Sequence, residues 1–362
     1  MQTVVQADPD ALAARLFEAT LGAMDLFSVY LGDKLGYYRA LADKGPMSAA
    51  ELAMSTSTTE RYVREWLEQQ SVTGILTCEN VDAPIVERRF RLPDGYESVL
   101  VNPESLSAMA PTAQIFAGCV KPLAQILSAF KNGGGVAYAD YGADLINGQA
   151  GFTRPQFRHL LTQEWIPALP GVHARLQADP AAHIADVGMG LGWSSIALAK
   201  AFPLVRVDGF DLDEASVAAA QVNAEAAGVA DRVTFHCRDA GDADFAGRYD
   251  FALAVECIHD MSDPVAVLKA MRGLVGQAGS VLIVDEKVAE RFVAPGDDVE
   301  RFMYGFSILH CLPVGMADQP SVETGTVMRE ETLRRYASEA GYHATDVLPI
   351  AHDFYRFYHL TS

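Results

Sequence analysis

The sequence predicts an α/β protein: an open, mostly parallel sheet covered by helices on both faces, preceded by a helical N-terminal part. Three observations carry that expectation. From about residue 181, strand-like runs at 183–188, 205–211, 232–237, 249–255 and 280–285 alternate with helical stretches near 193–202, 213–227 and 264–274. A chain that alternates in this way builds parallel strands joined by crossover helices. The first of those strands runs into three glycines at alternate positions, Gly188, Gly190 and Gly192, which lets backbone turn tightly against a ligand. Earlier, two short helices are followed by two short strand-like runs.

Taken in order, residues 12–31 place Leu12, Leu16, Ala19, Ala23, Phe27 and Leu31 near a 3.6-residue period, which predicts a long amphipathic helix. Ser48 and Glu51 have capping-box spacing and open a helix that ends near Ser55. A second helix over about 59–69 should turn Tyr62, Val63, Trp66 and Leu67 inward. Gly74-Ile75-Leu76 begins a strand, and Arg89–Leu92 supplies its partner. Helix, turn, helix and a two-stranded wing form a winged-helix pattern. Its second helix sets Arg61 and Arg64 against Glu60, Glu65 and Glu68, so it lacks the surplus positive charge that facing phosphates requires. A packing or dimerisation surface fits better than DNA binding. Residues 103–180 read as connecting helices, broken by a flexible loop at Lys131–Gly135. A last helix (about 329–340) and two late strands, near 344–350 and 353–360, complete the chain.

The 362 residues are half hydrophobic and 21% charged, enough for a large core and for two or three domains. We divide them at 1–110 (helical, winged-helix), 111–180 (connecting helices and lid) and 181–362 (the sheet). A formal charge of −19 disfavours nucleic-acid partners, which are held by clustered Lys and Arg. No apolar run approaches the ~20 residues that span a bilayer, so no membrane partner is expected. Residues Met1–Asp8 carry neither a basic nor an apolar leader segment. Cys78, Cys119, Cys237, Cys257 and Cys311 are odd in number and widely spaced, which argues for a reducing compartment. The expected location is the cytoplasm.

The glycine loop reads Asp186-Val187-Gly188-Met189-Gly190-Leu191-Gly192-Trp193. A dinucleotide fingerprint would need glycine where Trp193 or Ser195 stands. Asp186, two residues ahead of the first glycine, is a poor neighbour for a pyrophosphate and a good one for an ammonium group. The second strand ends at Asp211, about twenty residues on, where a carboxylate can accept both ribose hydroxyls. The third ends at Asp239, able to accept from an exocyclic adenine amine. Asp213 reads instead as a helix N-cap.

On these residues, about 180–362 resemble the class I S-adenosylmethionine-dependent methyltransferases. The resemblance implies a Rossmann-like seven-stranded sheet with an antiparallel last strand. It implies S-adenosylmethionine as cofactor and S-adenosylhomocysteine as product. By position, Asp186, Gly188 and Gly190 would serve the methionine end, Asp211 the ribose, and Asp239 with Ala240 the adenine, with Leu212 and Glu256 also on the cofactor. The N-terminal part is similar to the dimerisation domain of small-molecule O-methyltransferases, which implies a homodimer and a small-molecule substrate. Gly135–Tyr141 and Met303–Met316 resemble a bacterial subgroup of that family sometimes labelled regulators.

After the fourth strand comes Ile258-His259-Asp260-Met261-Ser262-Asp263, similar to the His-Asp-Trp segment whose histidine is the base, with Met261 in place of the tryptophan. An imidazole can take a hydroxyl proton near neutral pH. Glu286, just past the fifth strand, is expected to orient it. Tyr141, Met303, Phe306 and His310 lie in two segments that could close over the substrate. His310 has two readings: it complements a helix dipole, or it shares one metal with His259. The latter resembles relatives that methylate carbon on 2-oxo acids using iron or zinc. A third function, a cofactor-sensing winged-helix regulator without catalysis, also remains open.

Overall fold

The computed structural model describes residues 8–277 and 279–362. The chain divides into two compact units, up to Ala117 and from Gly118 onward.

In the first unit α1 (Pro9–Lys34) is capped by Asp8, whose carboxylate accepts from the Asp10 and Ala11 amides. Its periodic apolar face stays in solvent: Leu12, Leu16, Phe17, Met24 and Leu31 are all exposed. Helices α2 (Tyr37–Lys44), α3 (Ala49–Thr56) and α4 (Glu60–Val72) pack on one another. The capping box forms as the spacing predicts, Glu51 N donating to Ser48 Oγ (3.3 Å) and Ser48 N to Glu51 Oε2 (2.8 Å). On α4, Val63, Trp66 and Leu67 are buried, but Tyr62 is 77% exposed. The inward stripe is 63, 66, 67, 70, and Tyr62 lies outside its edge, about 90° from its centre. Strand β1 (Thr77–Cys78) pairs antiparallel with β2 (Phe90–Arg91). It starts later than expected because the Ile75 and Leu76 amides donate to the Gln70 carbonyl and finish α4.

The second unit is built on a seven-stranded sheet. Its strands are β3 (His183–Val187), β4 (Arg206–Asp211), β5 (Val233–Cys237), β6 (Phe251–Val255), β7 (Ser280–Glu286), β8 (Ala344–Val347) and β9 (Tyr355–Thr361). Their order is β5-β4-β3-β6-β7-β9-β8, with β9 antiparallel to β7 and β8 antiparallel to β9. Each central strand is buried on both faces, as crossover helices require. On β6, Phe251 and Leu253 join one apolar cluster while Ala252 and Ala254 join the other. The loop at 131–135 is less free than expected. Val136 N donates to the Pro313 carbonyl (2.9 Å), and a Cβ on Gly135 would lie 2.2 Å from that oxygen.

The bend after β3 shows why glycine recurs there. Gly188, Gly190 and Gly192 all adopt positive φ (69°, 53° and 78°), a region that side chains disfavour. A Cβ on Gly188 would meet Cys257 Sγ at 2.8 Å, and one on Gly192 would meet Phe235 at 2.5 Å; Gly190 faces open space. Strain and overpacking therefore add at Gly192. Gly192→Ala should lower unfolding free energy by about 2–4 kcal/mol, read from urea denaturation midpoints; a loss under 1 kcal/mol would contradict this packing.

Candidate functional site

A cavity of about 620 Å³ opens at the carboxyl ends of β3, β4, β5 and β6, bounded on the far side by the helix Tyr138–Gln156. This is where open α/β sheets bind ligands. The glycine bend, Asp211, Asp239, Glu256 and Asp260 all contribute to its wall.

Asp186, at the end of β3, is 2% exposed. Its Oδ2 accepts from the hydroxyls of Ser194 (2.5 Å) and Ser195 (2.6 Å). Burial raises its pKa to about 6 against the opposing pull of those hydrogen bonds. Asp211 accepts from Gly190 N and from Asp213 N, both at 2.9 Å. It thereby ties the middle of the glycine bend to the end of β4. Burial raises its pKa as well. Leu212 is exposed on the cavity rim, and Ala240 is buried beside Asp239, whose Oδ1 accepts from Gly241 N (2.7 Å). Asp213 caps the next helix through Ser216 N (2.8 Å), as read from the sequence. Glu256 follows β6 directly and carries φ +54°.

His259 sits in a short turn at Ile258–Asp260 and is 3% exposed. It does not line the cavity; its neighbours Cys257, Asp260 and Met261 do. Its Nδ1 pairs with Asp285 Oδ1 at 2.7 Å. Burial lowers the ring's pKa, but Asp285 and Cys311 together raise it further, well above 6.5. The orienting carboxylate is thus Asp285, not Glu286. Successive strand residues face opposite sides of the sheet, so only one of the two can reach the imidazole. Glu286 stands instead beside Glu256.

The expected substrate residues are placed differently. Tyr141 is fully buried; its hydroxyl donates to the Leu309 carbonyl (3.0 Å) and its ring meets His310 edge-on. Tyr138, three residues earlier, is the one on the cavity wall. Met303 and His310 are buried, and neither they nor Phe306 line the cavity. His310 Nε2 has no hydrogen-bond partner, and burial holds its pKa down at about 3. Among the described residues, the potential metal-ligand atoms that lie within 4.8 Å of one another belong to His259, Asp260 and Cys311; His310 is not in that group.

Sequence reasoning missed Asp285 and the face of Tyr138–Gln156 that reaches the cavity through Gln149 and Thr153. A 3–4-residue spacing was the available signal for the latter. Trp193, where a dinucleotide site would need glycine, lines the cavity under the Arg154 guanidinium, 4.0 Å from the ring centre.

Residues 184–279 match the family described as "Methyltransferase domain", and residues 23–100 match the "Rv2258c-like winged HTH domain". The chain thus carries a methyltransferase domain with a winged helix-turn-helix domain ahead of it. Solved structures share its fold over almost the whole length. Human N-acetylserotonin methyltransferase in complex with S-adenosylmethionine is 16% identical, over 99% of each chain, with a TM-score of 0.67. An O-methyltransferase family protein from Burkholderia thailandensis is 17% identical over 96% of this chain and 97% of that one, at 0.65. The N,N-8-amino-8-demethyl-D-riboflavin dimethyltransferase of Streptomyces davawensis is 19% identical over 97% and 99%, at 0.61.

The region in and behind the cavity is rich in carboxyl groups whose pKa burial has raised: Asp186 to about 6, Glu256 to about 7, Glu286 well above the usual range. A folded-state pKa above the unfolded value near ~4 means the native state holds protons that the unfolded chain releases. Their stabilisation is full below ~4 and is lost as pH rises through the native values. The melting temperature of the ligand-free protein should therefore fall between about pH 5 and pH 8, and less so in Glu256→Gln. A calorimetric profile that rises over that window would contradict the assignment.

Proposed function

We propose that the cavity binds S-adenosylmethionine along the strand ends and that the methyl group passes to a hydroxyl of a small molecule, with His259 as base. The observation that carries this reading is the arrangement of one cavity. It runs from carboxylates at the ends of β4 and β5, past a glycine bend with open space at Gly190, to the turn that holds the His259–Asp285 pair. Asp211 would accept the ribose hydroxyls and Asp239 the adenine amine, with Leu212 and Ala240 against the nucleoside. Asp186 would serve the methionine end through the bend that it anchors.

The sulfonium supplies a methyl group with its leaving group already in place, so the chain's task is alignment and exclusion of water. Asp285 fixes the imidazole by its Nδ1, and the ring also hydrogen-bonds the Cys311 side chain, so an acceptor hydroxyl would have to displace that thiol to reach Nε2. The same Asp285 contact that raises the ring's pKa makes the neutral ring a stronger base. The wall residue Asp260 adjoins that turn.

A second reading rests on the His259, Asp260 and Cys311 group. Nitrogen, oxygen and sulfur donors with a carboxylate behind the histidine suit zinc or iron, and a 2-oxo acid acceptor would then be methylated on carbon. The two readings separate cleanly. If His259 is a base, purified protein carries no stoichiometric metal by mass spectrometry and chelation leaves turnover unchanged.

For the winged helix we favour packing over DNA. On α4, Arg61 pairs with Glu65 (2.6 Å) and Arg64 with Glu60 (3.6 Å). The apolar stripe on α1 is the surface we assign to a second copy of the chain. Phe17→Glu with Met24→Glu should yield a monomer in sedimentation; a wild-type monomer would end that assignment.

Asp211→Ala should weaken S-adenosylhomocysteine binding by about 1–3 kcal/mol, the scale of a lost buried hydrogen-bond partner. His259→Ala should keep donor affinity while cutting turnover ~10²–10⁴-fold on an acceptor found with isotopically labelled donor. Asp285→Asn should cut turnover in the same direction at unchanged donor affinity. Normal turnover in His259→Ala would remove the base.

A further inference from the structure

We infer that the cavity wall at Glu256 is a subsite for an alkylammonium group, formed by Glu256, Glu286 and Gln156 around the Tyr355 hydroxyl. This deepens the reading above and rests on its placement of the donor in the cavity.

Four elements converge there. Glu256 follows β6 with its backbone in the left-handed region, and its amide donates to the Val284 carbonyl (2.8 Å), so the strained conformation is fixed by the sheet edge. Glu286 ends β7, paired in register with Tyr355 of β9. Tyr355 is 2% exposed and hydrogen-bonds Glu256. Gln156, the last residue of the helix Tyr138–Gln156, donates its Nε2 to the Tyr355 hydroxyl (3.3 Å).

Acceptors outnumber donors in this cluster. Glu286 is 7% exposed and its Oε2 has no partner; Gln156 is 8% exposed and its Oε1 has none. Orphaned buried acceptors are costly, and a cluster of them in a native structure points to a donor that arrives from outside. The cations nearby are engaged: Lys287 Nζ donates to the His352 carbonyl (2.9 Å), and His259 is held by Asp285. Burial raises the proton affinity of both acids, and Glu256 raises that of Glu286 further, while His259 opposes the rise at each. Glu256 is on the cavity wall, which gives the ligand a way in. Three acceptors, one from each of the two carboxylates and one from the amide, match the three N–H bonds of an ammonium. The group of described residues that could hold a metal does not include these acids.

Two molecules could bring that group: the donor, by its amino-acid end, or an acceptor carrying a basic amine. Asp186 already takes two serine hydroxyls on one oxygen, so the donor's ammonium is not provided for there alone. Calorimetry on the full chain can tell the sources apart. S-Adenosylhomocysteine and its deaminated analogue are titrated into wild type and Glu286→Gln. Benzylammonium and benzyl alcohol are then compared on the loaded protein by saturation-transfer NMR.

If the donor supplies the group, deamination costs wild type at least tenfold in affinity and Glu286→Gln almost nothing. If the acceptor supplies it, the two nucleosides bind alike, while benzylammonium binds loaded wild type and neither Glu286→Gln nor Glu256→Gln. Both variants should melt no lower than wild type at pH 7.5, since each removes a buried acid, so lost binding does not report misfolding. Nucleoside binding with no preference for charge in either arm overturns the subsite. Failure of S-adenosylhomocysteine to bind overturns the placement of the donor instead, and benzylammonium on the unloaded protein then decides the subsite.

Discussion

The bend between β3 and the helix Trp193–Ala201 is the constraint on which the rest of the site depends. Three residues in succession-but-one take positive φ, and two of them have a neighbour inside the volume that a Cβ would fill. The bend is then tied from both sides. Asp186 holds Ser194 and Ser195 at the start of the helix, and Asp211 holds Gly190 from the end of β4. Both ties are made by carboxylates taken out of water, so the bend is fixed by groups that are costly to ionise where they stand. That cost is reversed by any cation that enters the cavity, and a sulfonium nucleoside with an ammonium tail carries two.

The same logic runs along the sheet edge. Asp186, Asp211, Glu256, Asp260 and Glu286 all have raised pKa values with burial as the leading cause. An ordinary core would replace most of these by apolar residues, since burying an unpaired charge costs more than any packing gain. Their retention makes sense for a site whose counter-charge comes with the ligand. His259 differs in having a charged partner, Asp285, at 2.7 Å, which raises its pKa where burial alone would lower it.

What could be read from sequence followed from period and spacing. Alternating strands and helices, the glycine bend and the Asp213 cap are local patterns, and the structure has them within a few residues of where the pattern ends. The errors come where the answer depends on which side of an element a residue faces. Glu286 was the expected partner of His259, but the choice between 285 and 286 is one of strand parity, fixed by pairing with β6 and β9. Tyr141 was the expected pocket residue, but Gly142 takes φ +75° inside that helix, so the turn carrying 138–141 does not follow the helical phase of the residues beyond it. Tyr62 fell on the wrong face by one position. The exposed stripe of α1 was legible as amphipathic; what covers it was not, because a hydrophobic period marks a buried face without saying by what.

Two adjacent carboxylates thus acquire unrelated tasks from a single turn of pleat. Asp285 faces the imidazole and converts it from a weakly basic ring into one that competes strongly for a proton. Glu286 faces the other way, toward Glu256, which raises its proton affinity beyond what burial does. A chain that needed only a base would have no use for the second pair, and an apolar residue at 286 would pack against Tyr355 at lower cost. In the inferred subsite, the unpartnered oxygen of Glu286 is the group that would select the charge of a guest. It is compatible with a neutral guest only while the pair keeps its protons, whereas a positively charged guest binds more tightly as they leave.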